Sequence, residues 1–121
     1  MDTRTKLLTT EAAPRACTVV TGAFDPVLAE DARELAEIRA HHPDGPLLVV
    51  VLPLPGALLP GRARAELAAA LRMVDYVVTA PDADIDALLA TLEPRPLVRL
   101  EEAQAVRKRQ LMEHVSRRQS S

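Results

Sequence analysis

The sequence predicts an α/β domain: a short parallel sheet of about four strands, helices on both of its faces, and a C-terminal helix. Three observations carry this expectation. Short aliphatic or β-branched runs alternate along the chain with segments of helical period, in the order β-α-β-α-β-α-β-α. The run Leu47–Leu52 (LLVVVL) is continuously apolar, as expected of a strand buried on both faces of a parallel sheet. The 121 residues are 48% hydrophobic and 26% charged, which is enough apolar material for one core and too much for a disordered chain.

Taken in order, residues 1–15 are polar and without period and read as a tail closed by Pro14. Thr18–Thr21 (TVVT) reads as the first buried strand, ended by Gly22. Asp25 followed by Pro26 is a helix-start signal, with the carboxylate as N-cap and the proline in the first turn. Leu28, Ala32, Leu35, Ala36 and Ile38 then recur at helical spacing. The breakers His42, Pro43, Asp44 and Gly45 end that helix.

After the strand Leu47–Leu52, the segment Pro53–Gly61 is a loop rich in proline and glycine. Ala63, Leu67, Ala70, Leu71 and Val74 mark a second helix, and Val74–Thr79 (VDYVVT) a third strand. Asp82 or Asp84 caps a third helix with the stripe Ile85, Leu88, Leu89 and Leu92. Pro94 and Pro96 stop it before a fourth strand, Leu97–Leu100. Residues 101–118 read as helix, but Ala103, Val106, Leu111, Met112 and Val115 spread around its axis, so no strong packing face is legible. The expected organisation is therefore a tail (1–15), an α/β domain (16–100) and a basic helix with its tail (101–121).

Several function classes are disfavoured by composition. With Phe24 and Tyr76 the only aromatic residues, a base-stacking single-strand binder lacks its platforms, and nucleic acid is not an expected partner. One cysteine, Cys17, permits neither an internal disulfide nor a multi-cysteine zinc site. His41, His42 and His114 are too few and scattered for a metal site. Asp82, Asp84, Asp86 and Glu93 echo a calcium loop, but Ala87 stands where such a loop requires glycine. No run is long and apolar enough to span a membrane, no signal peptide is legible, and the expected location is the cytoplasm. Charge is uneven: residues 1–103 hold ten Lys/Arg against sixteen Asp/Glu, net −6, while residues 104–121 hold five against one, net +4.

Ligands of parallel α/β sheets bind beyond the carboxyl ends of the strands. That places candidate positions in Thr21–Asp25, Pro53–Arg64, Thr79–Asp84 and Arg99–Glu102. Gly22 in the first strand-to-helix turn would let the backbone approach a phosphate.

Together with Arg64–Val78 (RAELAAALRMVDYVV), the segment Gly22-Ala23-Phe24-Asp25 resembles the cytidylyltransferase-like nucleotidyltransferase superfamily. The heptose-phosphate and glycerol-phosphate type domains are the most similar within it. The resemblance covers roughly residues 18–100 and implies a Rossmann-like three-layer α/β/α sheet with a nucleotide site over the first helix. It implies candidate nucleotide contacts at Thr21, Gly22, Ala23, Phe24, Asp25, Arg62, Arg64 and Arg99.

The departures from the family pattern bear on activity. The family motif continues Gly-x-Phe-Asp-x-x-His-x-Gly-His, where this chain has Leu28, Ala29, Glu30 and Asp31. The two histidines are the family's phosphate contacts, and nucleotidyl transfer depends on positioning and on neutralising developing negative charge. The lysine after the second strand is replaced by a loop whose cations are Arg62 and Arg64, and the C-terminal Ser/Thr-rich signature has no counterpart. No catalytic residue is therefore carried over and no cofactor is required; Mg²⁺ is expected only if the chain is active. Three expectations follow. The favoured one is a degenerate domain that keeps the fold and weak binding of CTP, ATP or another phosphate ligand. The others are an active transferase relying on Arg62, Arg64 and Arg99, and an interaction module whose C-terminal helix docks on a partner or a second copy.

Overall fold

Two adjacent strands form the centre of the molecule, because their sequences are apolar on both sides. The computed structural model describes residues 3–81 and 84–120. In it Thr18–Gly22 (β2) and Leu47–Val51 (β3) are buried along their whole length. They pair in parallel from Thr18 opposite Leu47 to Gly22 opposite Val51. Tyr76–Thr79 (β4) extends the sheet beside β3, and Leu97–Arg99 (β5) pairs with the other side of β2, Thr21 opposite Arg99.

The segment read as a loose tail supplies a fifth strand. Leu7–Leu8 (β1) pairs in parallel with Val77 and Val78, so the sheet order is β1-β4-β3-β2-β5. A 3₁₀ turn, Thr3–Lys6, precedes it. Lys6 donates from Nζ to the Leu71 carbonyl at 3.1 Å, fastening this edge to the chain after the second helix. Two leucines in a polar context are too short a run to be read as a strand, and here tertiary pairing decides their conformation.

Helices cover both faces. Ala29–His41 (α1) and Gly61–Ala69 (α2) face a cluster containing Val20, Phe24, Leu35, Val49, Val51, Ala65 and Ala68. Ile85–Leu92 (α3) covers the opposite face through Leu89 and Leu92, against Val19, Leu48, Val50 and Val78. Asp84 caps α3 by accepting from the Ala87 N–H at 3.1 Å; the alternative cap, Asp82, lies outside the described residues. Asp75 fixes the entry to two strands: its Oδ2 accepts from the Leu47 N–H at 2.8 Å and from Arg39 at 2.6 Å. The last helix, Glu101–Ser120 (α4), is 20 residues long, or about 30 Å. Among the described residues no helix is long and apolar enough to cross a membrane.

The strand bounds shift by one or two residues, β4 beginning at Tyr76 rather than Val74, and two helix boundaries move further. The first helix begins at Ala29 rather than at Asp25, and its first turn is capped by Asp31, whose Oδ2 accepts from the Leu28 N–H at 2.8 Å. Asp25 is not the N-cap because its carboxylate is held by a different loop. The second helix ends at Ala69, and Leu71 and Val74 belong to the turn that leads into β4.

Candidate functional site

The chain leaves β2 for β3 and β4 on one side and returns to β5 on the other. The strand order thus reverses beside β2, and a crevice at the carboxyl ends of β2 and β5 is where such a sheet binds ligands. A cavity of about 460 Å³ lies there. Its walls are Ala23, Asp25, Pro26, Leu28 and Asp31 after β2, Leu52, Pro53 and Leu54 after β3, and Glu101, Gln104, Ala105, Lys108, Arg109 and Met112 from α4. Its size falls in the ordinary range for small-molecule sites.

The loop Gly22–Asp25 is shaped by its own side chains. Phe24 has φ 51°, a left-handed conformation rare for a bulky residue, and its ring is completely buried in the α1/α2 core. Such a conformation costs about 1–3 kcal/mol and persists where the surroundings enforce it. Its effect is to turn the N–H groups of Ala23 and Phe24 toward a common point.

That point is occupied by α4. Gln104 Oε1 accepts from Ala23 N–H at 2.8 Å and from Phe24 N–H at 3.2 Å. Gly22 makes room for the amide: a Cβ on Gly22 would lie 2.6 Å from Gln104 Oε1 and 2.7 Å from the Phe24 ring. Gln104 itself is buried, and its Nε2 has no hydrogen-bond partner among the described residues.

The rest of the α4 face continues the same arrangement. Glu101 Oε1 accepts from the Thr21 hydroxyl at 2.7 Å, and Glu101 Oε2 lies 3.7 Å from Arg99. Lys108 donates to Asp25 Oδ2 at 2.7 Å. Arg107 bridges Asp31 and Glu34 of α1, each at 2.5 Å. These partners hold Arg107 in its charged form: burial disfavours the cation, but Asp31 and Glu34 outweigh it and raise its pKa.

Asp25 joins three segments. Besides Lys108, its carboxylate accepts from the N–H groups of Leu58 and Leu59, at 2.6 and 2.8 Å. Burial pushes this carboxyl up, but the Lys108 contact and the two backbone donors prevail and hold it below the ordinary carboxylate range. Asp25 and Asp31, the two deeply buried carboxylates of the cavity, are thus each engaged with a cation of α4. They offer Mg²⁺ no pair of free ligands, and among the described residues no three His, Cys, Asp or Glu side chains form a metal-holding group.

The three candidate arginines are placed apart from the cavity wall. Arg64 is 4% exposed; it donates from Nη1 to the Ala23 and Leu52 carbonyls, both at 2.9 Å, and from Nε to Leu59 O at 3.2 Å. It therefore ties together the ends of β2 and β3. Arg62 projects into solvent and pairs with Glu66 one turn on. Arg99 sits beside Thr21 in the sheet and pairs with Glu101. Of the loop residues Thr21–Asp25, Ala23 and Asp25 line the cavity, while Thr21, Gly22 and Phe24 lie behind its wall.

Gln104, Arg107 and Lys108 were missed. The available signal was the spacing of Glu101, Gln104 and Lys108, which puts three polar side chains on one face of a helix. α4 docks through these polar side chains without an apolar stripe.

No protein-family model matches this chain. No curated protein matches it. Among solved structures, it is similar to the crystal structure of the lipopolysaccharide core biosynthesis protein from Thermoplasma volcanium GSS1. That match has a TM-score of 0.60 and 19% sequence identity, and covers 68% of this chain and 71% of the other. At that identity the likeness is one of fold: a Rossmann-like α/β sheet.

Proposed function

We propose that this chain is a nucleotidyltransferase-like domain that has kept the fold and lost the transfer chemistry, with weak binding of a nucleotide or another phosphate-bearing ligand at the carboxyl ends of β2 and β5. One observation carries the reading. Leu28 and Asp31, which stand where the family motif has its two histidines, both line the cavity. Both positions thus border the cavity, but neither presents a cationic or neutral donor. Leu28 has no polar atom, and the Asp31 carboxylate is ion-paired with Arg107. Oxyanion-type donors are worth about 10²–10³ each in rate, so losing two removes several orders of magnitude.

The fold neighbour supports a biosynthetic-enzyme-like scaffold, and the loop Thr21–Asp25 supports an anion-binding position on it. The arginine-based transferase is less well supported. Arg64 is engaged with three carbonyls, and none of Arg62, Arg64 and Arg99 lines the cavity.

The test is titration of CTP and ATP with Mg²⁺ present, followed by an assay for transfer to a sugar or polyol phosphate. Binding near millimolar, about −4 kcal/mol, without turnover is expected. Turnover abolished by Arg99→Ala would establish the active transferase instead, and no binding of either nucleotide would remove the nucleotide reading.

A second reading, an interaction module, rests on the outer half of α4. Leu111, Met112 and Val115 are 43%, 52% and 45% exposed there, on the side of the helix that carries Gln104 and Lys108. Met112 also lines the cavity, so this exposed apolar patch starts at the cavity rim and runs outward along α4.

A further inference from the structure

We propose that α4 is a displaceable latch on the anion site: Gln104 Oε1 holds the two backbone N–H groups that a ligand's phosphate oxygen would use, so ligand binding and helix docking exclude one another. This rests on the reading of the Gly22–Asp25 loop as a phosphate position and names what regulates it.

The geometry makes the two occupants direct competitors. The N–H groups of Ala23 and Phe24 converge on one oxygen, and that oxygen belongs to a neutral amide. A charged oxygen accepts roughly twice as strongly from such donors. Gly22 admits Gln104 with no space left over, since even a methyl group there would overlap the amide. A phosphate at the same point therefore requires the Gln104 side chain to leave.

The attachment of α4 is of a kind that can be released. Gln104 is its only buried residue among those described, and Val106, Leu111, Met112 and Val115 are all exposed. The helix is held by hydrogen bonds and by the ion pairs of Arg107 and Lys108, with little apolar burial. Lifting it would remove the α4 cations but leave Asp25 accepting from the Leu58 and Leu59 N–H groups and Asp31 from the Leu28 N–H, so neither carboxylate loses all of its partners. The docked state is also imperfect. Gln104 Nε2 and Arg107 Nε are buried without partners among the described residues. Buried donors left in this way weaken the contact that holds them.

Two substitutions at position 104 should act in opposite directions. Gln104→Ala removes the competitor while leaving the loop backbone intact. Gln104→Glu keeps the shape of the side chain and replaces the amide oxygen with a carboxylate, which accepts more strongly from the same two N–H groups. The experiment uses the full chain and measures binding of pyrophosphate and of CTP by calorimetry. With the latch, apparent affinity is reduced by the fraction of molecules that are open. Gln104→Ala is expected to bind at least about tenfold more tightly than the parent chain, and Gln104→Glu more weakly than the parent.

Equal binding by all three chains would leave the phosphate site standing and overturn the latch. Absence of binding in all three would overturn both. Should Gln104→Ala fail to fold, amide hydrogen exchange on the parent chain decides. Saturating ligand should keep Ala23 and Phe24 protected while residues 101–108 lose protection. Continued protection of 101–108 with ligand bound would overturn the latch.

Discussion

Gly22 and Gln104 are fitted to each other across the end of the sheet: a Cβ on Gly22 would stand 2.6 Å from Gln104 Oε1, well inside contact distance. The absence of a side chain at position 22 thus does structural work in this chain whether or not a phosphate approaches. The first expected outcome follows from it. Gly22→Ala should destabilise the domain by about 1–3 kcal/mol, the usual range for overpacking a filled site. Denaturant unfolding measures this. Combining it with Gln104→Ala should recover part of the loss, because the amide is removed while the contact with the Phe24 ring, at 2.7 Å, remains. Strict additivity of the two changes would mean that the residues do not share space in solution.

Arg64 yields a second outcome, and it separates a structural arginine from a ligand-binding one. Its guanidinium serves the carbonyls of Ala23, Leu52 and Leu59 at once. Arg64→Met fills a similar volume but leaves those acceptors without their donor. Each unsatisfied buried group costs about 1–3 kcal/mol, so a loss of about 3 kcal/mol or more in unfolding free energy is expected. Arg64→Lys should recover only part of it, since an ammonium lacks the fork that spans separate carbonyls. A variant with unchanged stability and reduced ligand affinity would reverse the assignment.

How legible all this was depended on the kind of contact. β2 and β3 were visible because burial on both faces demands continuous apolar sequence, and their bounds moved by only a residue. α3 was visible in its stripe, Ile85, Leu88, Leu89 and Leu92, and the burial of Leu89 and Leu92 follows from it. β1 was invisible because two leucines carry no period, and only the edge of β4 makes them a strand.

Asp25 shows a different limit. An aspartate before a proline is a correct local signal for a cap, yet its carboxylate is engaged 33 residues away by Leu58 and 83 residues away by Lys108. Local preference lost to long-range charge and backbone donors, and Asp31 took the capping role. The site was legible only for the loop that lies next in sequence to β2. The half contributed by α4 is polar, and polar docking has no periodic signature to distinguish it from a solvated face.

Asp25 also sets a pH dependence. Its folded pKa lies below the ordinary value of 3.8: burial alone would raise it, and the contacts from Lys108, Leu58 and Leu59 more than offset that. A depressed carboxylate contributes stability that is fully present above the unfolded pKa and lost as pH falls through the folded one. Unfolding free energy should therefore decline below about pH 4, as the unfolded chain begins to take up a proton that the folded one refuses. Asp25→Asn should flatten that acid limb while lowering stability at neutral pH. Thermal melts of both chains between pH 2 and 7, in constant salt, measure the difference; parallel curves would show that Asp25 does not carry the effect.

The outer turns of α4 separate the interaction reading from a solvated helix. Leu111 and Val115 are one turn apart, with Met112 beside them, and all three are more than two-fifths exposed. If a second copy covers them, light scattering should show a mass that rises with protein concentration, and Leu111→Glu with Val115→Glu should return the chain to monomer mass. The two new carboxylates stand one turn apart and repel, while Glu at 111 faces Arg107 and Lys108 and Glu at 115 faces Arg118 at i,i+3 or i,i+4 spacing, so the opposing charge terms are each roughly a few tenths of a kcal/mol and nearly cancel. Stability at low concentration should then change by less than about 0.5 kcal/mol, as is usual for surface positions. A parent chain that stays monomeric at every concentration would assign these residues no self-association. Unchanged pyrophosphate binding in the doubly substituted chain would separate the outer half of α4 from the Gln104 contact at its base.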